Sequence, residues 1–522
     1  MATLPYFVLS PNTIASMIGF LRHRKTDEYA TPFADWRQAT VDVVIPARNE
    51  EKMIGLCLAS VLRQTLQPRR VVLVDDGSSD RTAEYAEAFA RVHGLNLTVI
   101  RRQKSIGKTV TLKRQARELD SDVLVILDAD TVLDSENYIA RLVEEIYQGV
   151  GVASVCGTVR PLHWRDRRRF ENAEPVQRAW KESGLPPARE EMSAMRIFET
   201  GITNTYRDVL YMFLQRLIYR GEMLSFGSIV NPVGCAVAYR RAYLARLFGE
   251  VEPRYGDDIT NSEDIFIGFA LLDRGYRNVQ VGDIVAKTVE PPIRRLPRQI
   301  YLWSSSFLQS CYYFDDLLRS PQRWVAQWEL KRRAAARARR LAQSVAASSP
   351  VASNLIPESM PPLATAAVGV SDGPGAMTAI DYQGLAQSPG GNGPLDEAGP
   401  VLERRRVIEP YRQAFGTEHT RLYGRPTGWF LATSAFEKIA FPTILLVLLL
   451  LRNWYGLALS VIAETTFSLT VLFLVARGER LRYVLKGLLV APLRYALLLA
   501  DGVTIGWFAI ELWISRNRKW RK

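Results

Sequence analysis

The sequence predicts an α/β domain with a largely parallel sheet, followed by helices that cross a membrane. From Val41 to about Val281, short β-branched runs alternate with runs of helical period. Several of the predicted strands run directly into turns rich in carboxylates. Toward the C-terminus, apolar stretches near or above the roughly 20 residues of a bilayer-crossing helix follow one another.

The predicted strands are Val41–Ile45, Val71–Val74, Leu97–Ile100 and Val123–Leu127, with later ones near Val155 and Val233. Between the first two, Ile54, Cys57, Leu58 and Val61 recur at helical spacing, and Asn49 stands where it would cap that helix. The domain therefore opens as a βαβ unit. Ligands of such sheets gather beyond the carboxyl ends of the strands, so the loops immediately after strands are where chemistry is sought.

At 522 residues the chain exceeds the size of about 250 to 300 at which single cores stop growing. Lys and Arg outnumber Asp and Glu by 67 to 54, a formal charge of +13. The excess lies in basic runs at 165–169, 331–340, 404–406 and 516–522. Beside apolar segments, such runs suggest anionic headgroups on the cytoplasmic face of a membrane. No aromatic-interleaved basic motif or nucleic-acid reader module accompanies them, so nucleic acid is not an expected partner. Cys57, Cys156, Cys235 and Cys311 form no CxxC pair, which points to reduced thiols rather than a zinc site or a disulfide framework.

Residues 1–40 are expected to form an interfacial segment. The moderately apolar stretch Pro5–Leu21 has no basic region before it and carries Ser10, Asn12, Thr13 and Ser16, unlike a signal peptide. A short span is the alternative. The catalytic-type domain is assigned to 41–310, a basic interfacial helix to 311–341, a disordered linker to 342–403 and a juxtamembrane segment to 404–428. Ala, Ser, Pro and Gly dominate the linker, which cannot bury enough surface to offset ordering. Residues 429–522 hold the apolar segments Trp429–Leu451, Trp454–Ala476 and Leu485–Ile514. Three spans cannot leave the basic loop 477–482 and the basic tail on one side. A hairpin or re-entrant element, broken at Pro492 and Gly502, would reconcile them. Glu464, Arg494 and Asp501 lie deep in these segments, where an exporting protein would use them to border a polar passage.

The chemistry-bearing motifs begin with Ile45-Pro-Ala-Arg-Asn-Glu50 after the first strand and Val74-Asp-Asp-Gly-Ser-Ser-Asp80 after the second. Two adjacent carboxylates at a strand end exceed what a turn needs; Ser78 and Ser79 suit helix capping equally well. The fourth strand runs into Asp128-Ala-Asp130, whose alternate carboxylates can face one divalent cation. Oxygen-only ligands beside a phosphate favour Mg2+ or Mn2+. Gly107 and Lys108 at a helix start would suit a diphosphate. Asn261-Ser-Glu-Asp264 precedes a helical run, and its acids either complement the helix dipole or, in the case of Asp264, serve as a general base.

IPARNE, VDDGSSD, GKTVTLK, DAD, NSED and Gln299-Ile-Tyr-Leu-Trp303 occur in the order and rough spacing of family 2 glycosyltransferases. Together they resemble the membrane-bound processive branch of hyaluronan, chitin-oligosaccharide and cellulose synthases. The resemblance implies a GT-A fold, a nucleotide-sugar-dependent, Rossmann-like architecture, and inverting transfer from a UDP-sugar or similar donor to a growing polysaccharide. It implies donor-binding roles for Pro46, Arg48, Glu50, Asp75, Asp76, Lys108, Asp128, Gln299 and Trp303. Metal ligation would fall to Asp128 and Asp130, and catalysis to Asp264 with Glu263. One departure is Leu302, which stands where the branch usually has arginine; Arg298, or Arg294 with Arg295, are the candidates to supply that charge. The expected place is the inner (plasma) membrane with the catalytic domain cytoplasmic, and secretion-complex subunits are conceivable partners. Single transfer to a polyprenyl phosphate or other lipid, and a non-catalytic nucleotide-binding subunit, are the rival readings.

Overall fold

The computed structural model describes residues 11–21, 36–148, 151–255, 262–347 and 427–515. The predicted linker from 348 on, the juxtamembrane segment up to 426, Asn261 and the basic runs 404–406 and 516–522 lie outside them.

An eight-stranded sheet forms the centre. Strands β1 (Val41–Ala47), β2 (Arg70–Asp75), β3 (Leu97–Arg101) and β4 (Val123–Leu127) pair in parallel in the order β3-β2-β1-β4. The sheet continues less uniformly. β5 (Thr131–Leu133), β6 (Val152–Pro161), β7 (Ala236–Arg240) and β8 (Arg277–Thr288) follow along the chain. β7 runs antiparallel to both β4 and β6, β8 is parallel to β6, and β5 is antiparallel to β8. The strand expected near Val233 starts at Ala236 instead, because Pro232 and Gly234 keep the preceding segment a loop.

Helices cover both faces. α1 (Pro11–Leu21) precedes the sheet, and α2 (Ile54–Leu62), α3 (Thr82–His93), α4 (Lys108–Glu118) and α5 (Tyr138–Gln148) connect its strands. Then come α6 (Trp164–Glu171), α7 (Glu174–Ser183), α8 (Ala194–Phe213), α9 (Arg220–Phe226), α10 (Arg241–Tyr255) and α11 (Glu263–Asp273). Side chains of a strand alternate between faces. Val41, Val43 and Ile45 thus join Ile54, Phe89 and Tyr138 in one core, while Val44, Val72 and Val74 join Leu112, Phe248 and Phe266 in the other. Asn49 does not cap α2. It adopts φ 59°, and its carboxamide oxygen accepts from the Ser79 amide at 2.8 Å, clamping the loops after β1 and β2 together.

A π-helical turn, Leu214–Tyr219, joins α8 to α9 in one continuous rod. Its Gln215 carboxamide accepts from the Val159 amide at 2.8 Å and donates to the Val159 carbonyl at 2.9 Å, fixing the rod to β6.

α12 (Leu296–Tyr313), α13 (Asp315–Leu318) and α14 (Ser320–Ala347) lead toward three helices long and apolar enough to cross a membrane. These are α15 (Thr427–Leu450), α16 (Trp454–Val475) and α17 (Arg480–Trp513). The third is neither a hairpin nor re-entrant. Pro492 is carried inside an unbroken helix, and Gly502 is a packing site: a Cβ there would stand 2.3 Å from Pro442 of α15. Glu464 is held by Arg494 at 2.8 Å and by Ser468 at 2.7 Å, whereas Asp501 accepts from Ser304 of α12 at 2.9 Å. The three deep ionisable residues therefore fall into two separate networks.

Candidate active site

Loops following β1, β2 and β4 meet the start of α11 beyond the carboxyl ends of the parallel strands. The turn after β4 is tight, with the Thr131 amide donating to the Asp128 carbonyl at 2.9 Å. It leaves Asp128 and Asp130 half-buried on either side of the buried Ala129. Asp130 receives only long bonds, from Thr131 at 3.3 Å and Thr288 at 3.4 Å.

Lys108, the first residue of α4, reaches into this cluster. Its ammonium stands 2.6 Å from Asp128 Oδ1, 3.1 Å from Glu263 Oε1 and 3.2 Å from the Gly234 carbonyl oxygen. Burial opposes its charge, but Asp128 and Glu263 outweigh that and hold it well above the usual lysine range. Asp264, beside Glu263 in the first turn of α11, accepts from the Gly234 amide at 3.1 Å. No other residue fits at 234, since a Cβ would lie 2.8 Å from that carboxyl group. Burial first, and then Glu263, push Asp264 up to about 7.

Other carboxylates crowd the same edge. Burial and then Asp128 lift Asp130 to about 7. Glu50, from the loop after β1, is lifted to about 8 by burial first and then by Asp130. The site thus gathers more carboxyl groups than Lys108 balances, so they hold their protons more tightly, and a cation arriving with its own counter-charge would relieve the crowding.

Asp75 and Asp76 part company. Asp75 accepts from the Ser78 amide at 2.9 Å. Asp76 accepts from the Ile106 and Gly107 amides, the Ser105 hydroxyl and the Arg102 guanidinium, at 2.6 to 3.0 Å. Burial opposes its charge, but these bonds win and draw it down to about 2. It serves as the anchor of the loop that presents Lys108. Ser78 and Ser79 do not cap α3; Ser78 accepts from the Asn49 amide and Ser79 donates to the Asn49 side chain. Pro46 sits half-buried in β1 opposite Val74, and Arg48 is exposed just beyond it.

Gln299 and Trp303 lie one turn apart on α12, and a residue absent from the sequence motifs joins them. Arg207 of α8, wholly buried, donates to the Gln299 carboxamide, stacks on Trp303 at 4.7 Å and pairs with Glu290 at 3.0 Å. Glu290, which follows β8, is close enough to raise Asp130. Arg294, Arg295 and Arg298 are exposed, so the cation beside Gln299 and Trp303 is Arg207. No local spacing in α8 distinguishes that arginine; only the tertiary packing of α8 on α12 does.

Residues 42–248 match the family model for glycosyl transferase family 2. The chain is similar to an N-acetylglucosaminyltransferase of Azorhizobium caulinodans, 24% identical over 51% of this chain and 59% of that protein. It is also similar to an undecaprenyl-phosphate 4-deoxy-4-formamido-L-arabinose transferase of Pectobacterium carotovorum, 36% identical over 23% of this chain and 36% of that one. The chain thus spans less than two thirds of the length of these relatives. Among solved structures, a mannosyltransferase from Pyrobaculum calidifontis in complex with GDP-Man and Mn2+ aligns over 96% of each chain, at 14% identity and a TM-score of 0.44.

Proposed function

We propose, from the match of residues 42–248 to the family model for glycosyl transferase family 2, that the chain is a membrane-embedded inverting transferase that moves a sugar from a UDP-sugar onto a growing polysaccharide. The observation carrying this reading is the convergence of Lys108, Asp128, Asp130, Glu263 and Asp264 beyond the parallel strands. Asp264 takes the proton from the attacking acceptor hydroxyl as that oxygen bonds to the anomeric carbon. The bond from that carbon to the diphosphate breaks on the opposite side, and Lys108 shifts from Asp128 toward the departing phosphate oxygens.

Asp128 and Asp130 fit a divalent cation, Mg2+ or Mn2+. Both offer hard oxygens, and their mutual repulsion in a buried place would be relieved by one. Among the described residues, no group of three or more His, Cys, Asp or Glu could hold a metal unaided, so donor phosphates and water would complete the shell. The ion would neutralise charge on the leaving diphosphate. Asp130→Asn should raise the Mn2+ concentration for half-maximal donor use by about tenfold or more, because one ligand becomes neutral. Mn2+ titrations of both proteins check this, and undiminished wild-type turnover in excess chelator would remove the metal from the reading.

A second reading, transfer to a polyprenyl phosphate or other lipid, draws on the similarity to the undecaprenyl-phosphate transferase. Membranes containing the protein, incubated with a panel of labelled nucleotide sugars, distinguish the readings. A long water-soluble product supports polymerisation, and a single label that partitions into organic solvent supports the lipid acceptor. Consumption of no donor would leave a non-catalytic subunit. The proposed orientation is multi-pass in the inner membrane with the catalytic domain in the cytosol, where donors are made.

A further inference from the structure

The first residues of α14 fasten it to the protein. Its buried first residue, Ser320, donates to the Leu317 carbonyl at 2.6 Å. A Cβ on Gly428, at the start of α15, would stand 2.2 Å from that hydroxyl, so the two helix ends are in close contact. Arg323 reaches back to the Asp316 carbonyl at 2.9 Å. From Trp328 to Arg340, every side chain among the described residues is exposed.

That bare helix has an unusual surface. Trp324 and Trp328, one turn apart, are each 51% exposed, and Val325 lies beside them. Between Arg323 and Arg340 there are seven basic residues and one acidic residue. Trp324 meets Trp429 edge to face at 6.1 Å, and Trp429 is itself exposed in the first turn of α15. The tryptophans therefore lie level with the end of a helix able to cross a bilayer. Indole rings favour the boundary between headgroups and acyl chains. Cationic side chains near an anionic leaflet gain about 1 kcal/mol each.

We propose that α14 lies on the bilayer surface and binds anionic lipid, with Trp324 and Trp328 at the headgroup boundary and its exposed Arg side chains on lipid phosphates. The aromatic contact with α15 makes this surface continuous with the membrane-crossing helices, and the charge supplies the lipid preference. The inference rests on the membrane reading of α15 to α17 and not on the transferase chemistry, so either can fail without the other.

Hydrogen exchange of the full chain, in nanodiscs of phosphatidylcholine alone and of phosphatidylcholine with phosphatidylglycerol, tests it. Amides of 324–340 should exchange about tenfold more slowly in the anionic discs. The variant K331Q/R332Q/R333Q/R337Q should lose that difference while α15 to α17 keep their protection. W324A/W328A should speed exchange of the segment in both discs. Equal exchange of wild-type α14 in the two discs overturns the proposal: if fast, the helix has no bilayer contact, and if slow, a protein contact covers it.

Discussion

Replacing Asp264 by Asn will reduce sugar transfer by about 100-fold or more while donor binding stays nearly unchanged. The amide keeps the shape of the side chain but cannot accept the proton of the attacking hydroxyl. The environment supports this role: the carboxyl group is pushed up to about 7 by burial and by Glu263, so it is poised to exchange a proton near neutral pH. The sign is explicit. Only the deprotonated form is a base, so wild-type turnover should rise with pH through about 7, and the variant should lack that acid limb. Initial rates across pH, with donor affinity measured separately, check both parts. A loss confined to donor affinity would make Asp264 a binding residue.

Arg207→Leu should be the most damaging single change to the described fold near the site. It leaves the Glu290 carboxylate, 2% exposed, without its cation. Breaking a buried pair from one side costs about 3 to 5 kcal/mol, whereas replacing both partners by apolar groups is often close to neutral. The double variant R207L/E290L should therefore regain most of the lost thermal stability. It should still transfer slowly, because Gln299 and Trp303 have lost the guanidinium that bonds one and stacks on the other. Unfolding curves and labelled-donor turnover on the same preparations separate the two effects. Full transfer by the double variant would reduce Arg207 to a packing residue.

The first four strands and α2 were legible because unbroken β-branched runs and helical spacing are local signals, and each motif loop follows a strand end. The mixed half of the sheet was not. β5 is three residues long, and β7 and β8 find their places through long-range pairing rather than local composition. The same distinction holds in the site. Lys108, Asp128, Glu263 and Asp264, singled out by their motifs, are brought together, with Asp130 and Glu50 in electrostatic reach. The anchoring bonds of Asp76 were not legible, because its partners, the Ile106 and Gly107 amides, lie about thirty positions away. The continuity of α17 was hidden by Pro492 and Gly502, which read as breaks in a lone helix; the helix carries the exposed Pro492 without interruption, and Gly502 is a packing site once α15 lies alongside.

If Asp128 ligates the proposed metal, its salt bridge with Lys108 sets an internal competitor against that metal. An ammonium tethered 2.6 Å from a carboxylate acts as a resident rival to any metal that seeks the same oxygen. Uptake of a metal-bound donor is then an exchange rather than an addition, and its net affinity is the difference between two pairings. Lys108→Met should consequently act with opposite signs in two assays. Mn2+ alone should bind more tightly, since its rival has gone, while turnover falls because the departing diphosphate loses a counter-charge. Calorimetric Mn2+ titration beside initial rates checks the pair of signs. Such a tether would also discourage stray cations from lodging between donor visits, leaving the site receptive chiefly to a metal that arrives with its nucleotide.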